Sequence, residues 1–182
     1  MGENNAFLSK EIAKENKKLC SSSLKAIDTD LAKAEKAIDQ LIQSDPQLRR
    51  LFDLVTSVPG VGKITATQVI ICTNEFKNID TAKKFACYSG VAPFKKESGM
   101  YKGKTMVSNM ANKKVKMLLH LSALVAIRYN QEIKDYYRRK VTEGKKNKMS
   151  VINADRNKLI LRIFAGVNRD REYEKNYAKL VA

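Results

Sequence analysis

Apolar residues recur at helical spacing at the start of the chain, from about residue 6 to residue 43. They step alternately by four and three positions, which is the heptad pattern of a coiled-coil seam. The seam consists of Cys20, Leu24, Ile27, Leu31, Ala34, Ile38 and Leu41. We therefore predict a long helix over residues 1–45 that pairs with a partner helix. The alternative is an amphipathic helix that lies on the protein's own core. Asp45 and Pro46 end the segment, because aspartate suits the N-cap and proline the first position of a following helix.

The remaining apolar positions predict a bundle of shorter helices. These helices cover residues 47–56 and 63–71, a short run that Asp80 or Thr81 caps and that ends at Tyr88, and residues 109–129, 131–143 and 150–168. Ser108 is the expected N-cap of the helix at 109–129. The expected inward positions are Phe85, Ala86, Val115, Leu118, Leu119, Ser122, Ala123, Val125, Ala126, Val151, Ile152, Leu159, Ile160, Ile163 and Phe164.

The pattern favours an all-α fold with little strand. Only residues 91–94 and 100–107 fit short edge strands, because no other segment alternates convincingly. A compact helical domain is predicted over residues 46–170, and a charged tail over residues 171–182. The chain is expected to fray from Arg169 onwards, as charged termini commonly do.

A glycine-rich turn, Val58-Pro59-Gly60-Val61-Gly62, separates the first two helices of this domain. Proline stops the first helix, and the glycines permit backbone angles and close approaches that a β-carbon would block. The second helix then presents its unpaired first amide groups at the positive end of its dipole, where a phosphodiester can bind. The turn resembles the helix-hairpin-helix motif of DNA-binding proteins, and its expected nucleic-acid contacts are Gly60, Gly62, Lys63 and Thr65. The alternative is a tight turn between packed helices. A P-loop is excluded, because the glycine spacing and the preceding strand are missing.

Composition and charge indicate the kind of partner. The chain of 182 residues has 35 Lys and Arg against 19 Asp and Glu, a net charge of +16, which favours a polyanion such as DNA or RNA. No apolar run is long enough for a membrane span, and the N-terminus does not have the form of a secretory signal, so we expect a cytoplasmic protein. Cys20, Cys72 and Cys87 lack paired spacing and are expected as reduced thiols. His120, within an apolar helical run, is expected to be a packed or half-exposed side chain and not a ligand.

A lysine-rich loop at residues 95–107 contains the candidate chemistry. Ser98 precedes a glycine there and has lysines on both sides. A serine hydroxyl attacks phosphorus only when a base removes its proton and positive charge stabilises the phosphate, and no base is evident nearby. A simple Ser-Gly turn is the alternative, and Tyr101 is a second candidate hydroxyl. The basic surface expected around the loop comprises Lys95, Lys96, Lys102, Lys104 and Lys113.

Several segments together resemble a known protein family. In order they are residues 57–66, Phe76-Lys77-Asn78, residues 82–93, Ser98-Gly99, Lys102-Gly103-Lys104, Ser108 and residues 126–130. Over about residues 50–170 the chain resembles the C-terminal domain of insertion-sequence transposases of the IS-one-ten, IS-one-sixteen and IS-nine-oh-two group. The heptad helix is similar to the coiled coil that joins the two halves of those enzymes.

This resemblance implies a DNA recombinase. Members cut and rejoin DNA with an N-terminal RuvC-like domain, whose four acidic residues hold divalent metal, and with a C-terminal serine that forms a phosphoserine link to DNA. By motif position that serine is Ser98. Members act as dimers or tetramers, and some use a structured guide RNA. The acidic domain is not in this sequence, so we expect either a fragment of a longer transposase or a decayed remnant of one, which holds no cofactor itself and is inactive alone.

Two other classes of function remain open. One is a non-catalytic helix-hairpin-helix module that binds DNA or RNA phosphates through the same basic face. The other is a coiled-coil assembly protein whose basic charge only keeps it soluble. Loss of strand transfer on Ser98→Ala would favour the recombinase over the first, and absence of nucleic-acid binding at low salt would favour the second.

Overall fold

Helices account for most of the part of the chain that the structure describes. The structure is a computed structural model, and it describes residues 10–94, 97–103, 106–144 and 147–174. Its α-helices are α1 (Lys10–Leu19), α2 (Ser21–Ser44), α3 (Pro46–Thr56), α4 (Lys63–Thr73), α5 (Ala82–Tyr88), α6 (Lys113–Tyr129), α7 (Gln131–Arg138) and α8 (Lys148–Asn168), and a π-helical turn (Arg139–Glu143) follows α7. The prediction of an all-α fold is confirmed.

The chain divides into two compact units, Met1–Pro46 and Gln47–Ala182. In the first unit, the single predicted helix is interrupted at Cys20, between α1 and α2. The interruption is small, because the Cys20 amide donates to the Asn16 carbonyl and the Leu24 amide donates to the Cys20 carbonyl (2.9 Å each), as in a regular helix. Beside it, the Ser21 hydroxyl donates a hydrogen bond to the Lys18 carbonyl (2.8 Å). The seam of α2 is exposed in the single chain, with Ile27 62%, Leu31 57% and Leu41 65% exposed.

The core of the second unit forms where α6 packs on α8, and α4, α5 and α7 pack around this pair. All six inward positions predicted on α8 are buried, and so are Phe85 and Ala86 on α5. Three aromatic rings join the layers, because Phe164 contacts Phe76 and Phe85 at ring-centroid distances of 5.0 and 5.5 Å. On α6 the prediction is right for Val115, Leu119, Ser122, Ala123 and Ala126. It is wrong for Val125, which is 45% exposed, and Leu118 is half-buried.

The start of α6 differs from the prediction. Asn112, and not Ser108, is its N-cap, because the Asn112 side chain accepts a hydrogen bond from the Val115 amide (3.1 Å). The Ser108 hydroxyl instead accepts from the Met110 amide (3.2 Å) within the preceding turn. The N-cap of α5 is Thr81, one of the two predicted residues, and it accepts from the Lys84 amide.

Two small antiparallel sheets lie between α5 and α6. Strand β1 (Pro93–Phe94) pairs with β4 (Met106–Val107), and β2 (Glu97–Ser98) pairs with β3 (Tyr101–Lys102). They fall within or beside the segments predicted as short edge strands. The chain therefore leaves α5 and returns to α6 through a two-stranded stem, with the β2–β3 hairpin between the stem strands in sequence.

The described part of the C-terminal tail packs against the helices. The Arg50 guanidinium contacts the carboxylates of Asp170 (2.9 Å) and Glu172 (3.3 Å), and the Tyr173 amide donates to the Ser57 hydroxyl (2.9 Å). The Arg162 guanidinium lies over the Tyr173 ring, 4.9 Å from its centroid. The expectation that the chain frays from Arg169 is therefore wrong for residues 169–174, because ion pairs and an aromatic contact hold them.

Candidate nucleic-acid interface

The turn between α3 and α4 is fixed by two buried valines. Val58 and Val61 point into the core, and the Val61 amide donates to the Val58 carbonyl at 3.0 Å. Proline between them prevents α3 from continuing. As a result, the backbone of Pro59, Gly60 and Gly62 forms the outer part of a rigid turn that leads directly into α4.

Gly60 faces the core and not the solvent. Its φ of +92° is unfavourable for residues with a side chain, and a β-carbon there would lie 2.5 Å from the Ser122 carbonyl oxygen and 2.8 Å from the Ala126 β-carbon. Gly60 is therefore required for close packing of the turn on α6. Gly60 is one of the predicted nucleic-acid contacts. In the structure its backbone packs against α6, and its role is to position the turn.

Gly62 has the opposite surroundings. It is exposed, it is the N-cap of α4 with φ −88° and ψ 171°, and no side chain caps the helix from this position. A β-carbon at Gly62 would meet no atom within 4 Å. An N-terminus without a side-chain cap offers its first amide groups, and the positive end of the helix dipole, to an external anion. Lys63 is exposed on the same first turn and adds positive charge.

Thr65, in contrast, is not available for contact with nucleic acid through its side chain. It is only 7% exposed, and its hydroxyl lies 3.2 Å from the Ser122 hydroxyl on α6. The Thr65 side chain is therefore part of the packing on α6, and a contact through its backbone amide stays a prediction. Its position on α4 follows the inward face of the helix, together with Ala66 and Val69.

Ser98 is exposed in β2, next to the tip of the β2–β3 hairpin. It pairs with Tyr101 across the hairpin, and Gly99 makes the turn with φ +55° and open space around it. The hydroxyl is thus borne on a protruding loop and is not part of the core. Of the lysines predicted around it, Lys95, Lys96 and Lys104 lie outside the described residues, and Lys102 is described only through its backbone pairing with Glu97.

The base of this loop is held by three helices. Gly90 adopts φ +64°, and a β-carbon there would lie 2.3 Å from the Ala111 β-carbon and 3.7 Å from the Lys116 side chain. The Asn153 side chain on α8 donates to the Val91 carbonyl (2.9 Å). The Asn112 amide donates to the Tyr88 carbonyl (3.0 Å). Both ends of the serine-bearing segment are therefore anchored to the core.

Basic side chains lead from the loop onto α6. Lys113 and Lys114 are exposed on its first turn, and Lys116 is half-buried beside Gly90. Lys113 was predicted to lie on the surface next to the serine loop, and its exposed position on the first turn of α6 agrees with this. Its role in binding nucleic acid stays a prediction.

Sequence reasoning missed two buried charged residues on α8, Asp155 and Arg156, which are 0% and 6% exposed. Burial raises the pKa of Asp155 to about 6, and neither of its carboxylate oxygens has a hydrogen-bond partner. The Arg156 guanidinium lies 2.6 Å from the His120 ring nitrogen Nδ1. Burial and the charge of Arg156 lower the pKa of His120. Both positions follow the helical spacing of Ile152 and Leu159, so the periodicity of α8 already placed two charges on its apolar face.

The three cysteines are free thiols, and Cys20 is exposed. Among the described residues, no group of three or more histidine, cysteine, aspartate or glutamate side chains is arranged to hold a metal ion. In the same part of the chain, no helix has the length and apolar character that a membrane crossing requires.

Comparison with known proteins finds relatives of this segment among insertion-element proteins. Residues 52–138 match the family described as "Transposase IS116/IS110/IS902 family". The chain is 27% identical over 135 residues to the "Insertion element IS900 uncharacterized 42 kDa protein" of Mycobacterium paratuberculosis. The aligned segment covers 74% of this chain and 33% of that protein. It is 27% identical over 154 residues to the "Insertion element IS110 uncharacterized 43.6 kDa protein" of Streptomyces coelicolor, covering 85% of this chain and 37% of that protein.

A third relative is the "Pilin gene-inverting protein" of Moraxella bovis, with 23% identity over 146 residues, 80% of this chain and 45% of that protein. The chain thus spans between about a third and a half of the length of these relatives. The matched segment contains the α3–α4 turn, the serine loop, α6 and α7. Over residues 52–138, just under half of its length, the chain is therefore similar to the IS116/IS110/IS902 transposase family.

Proposed function

We propose that this chain is the nucleic-acid-binding and serine-bearing part of a DNA recombinase, and that it acts within a longer protein. The similarity to the transposase family supports the recombinase class, and one relative is named for inverting a gene. The observation that carries the assignment to a residue is the position of Ser98, which is exposed beside a hairpin tip inside the matched segment. A buried serine in that loop could not reach a phosphodiester.

In the proposed reaction, the Ser98 hydroxyl oxygen attacks a DNA phosphorus. A bond forms between Oγ and phosphorus, the bond to the leaving deoxyribose oxygen breaks, and the serine proton passes to a base. The product is a phosphoserine link to one DNA end and a free hydroxyl on the other. Lysines in the loop would stabilise the negative charge that develops on the phosphate. A divalent metal held by an acidic RuvC-like domain, outside this chain, would supply further charge stabilisation.

The test of this role is strand transfer by a full-length family protein that contains this segment. Ser98→Ala is expected to abolish transfer and leave DNA binding within about twofold, because the hydroxyl contributes to chemistry and not to affinity. Tyr101→Phe and Ser108→Ala are the matched controls, since each removes a hydroxyl from the same loop region. Transfer that survives in Ser98→Ala and is lost in Tyr101→Phe would move the nucleophile to Tyr101.

The α4 N-terminus is the proposed phosphate contact of the chain, in the manner of a helix-hairpin-helix. Gly62 provides a sharp test, because its backbone angles suit any residue and its surroundings are open. Gly62→Asp and Gly62→Asn both supply a good N-cap and should preserve or slightly raise stability. Aspartate also places a negative charge where the phosphate is proposed to bind, so we expect Gly62→Asp to bind a short DNA duplex about tenfold more weakly than Gly62→Asn. Equal DNA affinities of the two variants would contradict a phosphate contact at the α4 N-terminus.

The non-catalytic binding module remains the second candidate, because the Gly62 site is independent of Ser98. It predicts salt-dependent DNA binding by the chain and no effect of Ser98→Ala on recombination. The partners proposed with the first candidate are a second copy through the exposed seam of α2 and, as the resemblance implies for some members, a guide RNA.

A further inference from the structure

His120 is the single histidine of the chain, and its protonation is fixed by its neighbour. Arg156 Nη2 lies 2.6 Å from His120 Nδ1. A guanidinium only donates hydrogen bonds, so Nδ1 must be the acceptor and the ring proton must be on Nε2. Burial and the adjacent positive charge lower the pKa of the imidazole, so this ring is neutral near neutral pH. His120 is partly exposed, and its Nε2–H is a donor directed away from Arg156.

Arg156 itself has no anionic partner. It is 6% exposed, and its Nε has no hydrogen-bond partner. The contacts of its guanidinium are His120 and the Asn153 amide oxygen at 3.4 Å. Among the described residues, no carboxylate lies within ion-pair distance of it. A buried cation without a counter-charge is costly, and an anion bound nearby would offset part of that cost.

The surroundings of His120 on α6 are basic. Lys113, Lys116 and His120 are spaced by three and four residues, so they follow one another along one side of the helix. We call them the α6 stripe. The Lys116 side chain lies near the base of the serine loop, since a β-carbon at Gly90 would be 3.7 Å from its Cδ. The Asn153 side chain accepts from Arg156 and donates to the carbonyl of the residue after Gly90, Val91. The stripe therefore starts next to the segment that carries Ser98.

We propose that the α6 stripe is a second DNA-backbone site, at which His120 donates its Nε2–H to a phosphate oxygen while Arg156 positions the imidazole from behind. This inference rests on the proposed DNA-binding function and adds a contact to it. The ligand is a phosphodiester of DNA. His120 contributes a directed neutral donor, whereas Lys113 and Lys116 contribute charge.

Nitrogen NMR of the labelled chain tests the geometry without any DNA. A single histidine gives one pair of imidazole nitrogens, and we expect the Nε2–H tautomer near neutral pH. An Nδ1–H tautomer or a doubly protonated ring would overturn the proposal, because Arg156 could not then donate to Nδ1.

Binding to a short DNA duplex tests the contact. Glutamine can place an amide donor near the Nε2 position, whereas asparagine is too short and leucine has no donor. We expect His120→Leu and His120→Asn to bind about tenfold more weakly, and His120→Gln to stay within about threefold of the unchanged chain. Circular dichroism and thermal unfolding show whether each variant is folded. We expect all three variants to fold, because His120 is partly exposed.

Salt dependence separates the neutral donor from the lysines. A cation that neutralises one phosphate contributes about 0.9 to the slope of log affinity against log salt, whereas a neutral donor releases no counterion. His120→Leu should therefore lower affinity at every salt concentration with an unchanged slope, and Lys116→Gln should reduce the slope by about 0.9.

The outcomes distinguish this proposal from the proposed function. If the unchanged chain binds the duplex and all three His120 variants bind equally well, the α6 stripe is not a site, but the recombinase assignment stands. If the three variants weaken binding equally, the effect does not come from the Nε2 donor, and the proposal is wrong. If the chain does not bind DNA even at low salt, the proposed function fails and this inference fails with it. Tighter binding to a matched RNA duplex would overturn the choice of DNA as ligand.

Discussion

Asp155 is an ionisable residue that is buried on the apolar face of α8. It is fully buried on α8, its two oxygens have no hydrogen-bond partner, and burial outweighs the nearby positive charges of Lys158 and Arg162, so its pKa rises to about 6. In the unfolded chain, an aspartate has its ordinary pKa near 3.8. The native state therefore holds this proton more tightly than the unfolded state.

The linkage between proton binding and folding gives a prediction for Asp155→Asn. Because the native pKa is raised, the stabilising contribution of the protonated carboxyl is fully present below about pH 4 and is lost as the pH rises through about 6. Asparagine resembles the protonated acid, so the variant should match the unchanged chain in acid. Near neutral pH the variant should be more stable by about 1–3 kcal/mol.

Denaturant unfolding at a series of pH values measures this difference. The matched control is Asp28→Asn, which changes an exposed acid on α2. The control should change the free energy of unfolding by no more than about 0.5 kcal/mol, because the side chain is exposed. A constant difference for Asp155→Asn across the same range would contradict the raised pKa.

Individual residues were predictable from the sequence where periodicity alone decides burial. All six positions on α8 were found in this way, because each lies on a face of the helix that neighbouring helices cover. Val125 and Thr65 were not, because the width of a buried face depends on which neighbours cover it. Helix α4 covers the part of α6 at Ser122, and this contact buries Thr65 and leaves Val125 exposed.

At the scale of elements, the α3–α4 hairpin is positioned by its close approach to α6. Gly60 makes this approach possible, whereas Gly62 faces open space two residues later. The sequence indicates that both glycines belong to a turn, but it does not tell which one packs and which one is open. That difference arises from the packing of α4 on α6, and so only the folded chain reveals it.

Gly60→Ala and Gly62→Ala should therefore differ strongly in stability. The first introduces a β-carbon at φ +92°, 2.5 Å from a backbone oxygen, and we expect a loss of about 2–4 kcal/mol in the free energy of unfolding. The second removes a permissive N-cap residue without a clash, and we expect a loss of at most about 1 kcal/mol. Equal losses in chemical denaturation would show that Gly60 does not pack as described.

The N-terminus of α6 provides a second prediction at this scale. Asn112→Ala should destabilise the protein by about 1 kcal/mol, because the Val115 amide loses its acceptor, whereas Ser108→Ala should cost less than about 0.5 kcal/mol. Both residue types are good caps, so the sequence did not discriminate between them. Asn112 is the cap because two hydrogen bonds hold it in place. Its backbone amide donates to the Tyr88 carbonyl (3.0 Å), and its side-chain amide donates to the Tyr88 hydroxyl (2.8 Å). Thermal unfolding of the two variants checks the assignment, and the reverse order would restore Ser108 as the cap.

At the scale of the whole molecule, the net charge and the exposed apolar seam have opposite effects on self-association. The net charge of +16 opposes self-association, and the seam of α2 favours it. The seam was read directly from the sequence, since a heptad needs no tertiary information. The contacts of the tail could not be read in this way, because Arg50 and Asp170 are distant in sequence and meet only when α3 and α8 are packed.

Leu31→Lys tests the proposed pairing of α2. The substitution places a charge in the middle of the seam, and we expect the chain to become a monomer in sedimentation velocity at a concentration where the unchanged chain is a dimer or tetramer. Thr29→Lys is the control, because residue 29 lies on the opposite side of the helix and the added charge is the same. An unchanged assembly for Leu31→Lys would leave α2 without a role in pairing.

Helix α6 packs against the α3–α4 turn and lies beside the base of the serine loop. The length of α6 therefore sets the distance between these two regions. Gly60 packs on α6 at Ala126, and the side chain of Lys116, near the start of α6, lies beside Gly90. These two positions on α6 are separated by about 15 Å of helix, at 1.5 Å per residue. A duplex advances about 3.4 Å per base pair, so this span corresponds to roughly four base pairs. In the proposed function, the spacing along the DNA between the phosphate at the turn and the serine loop would therefore depend on the length of α6.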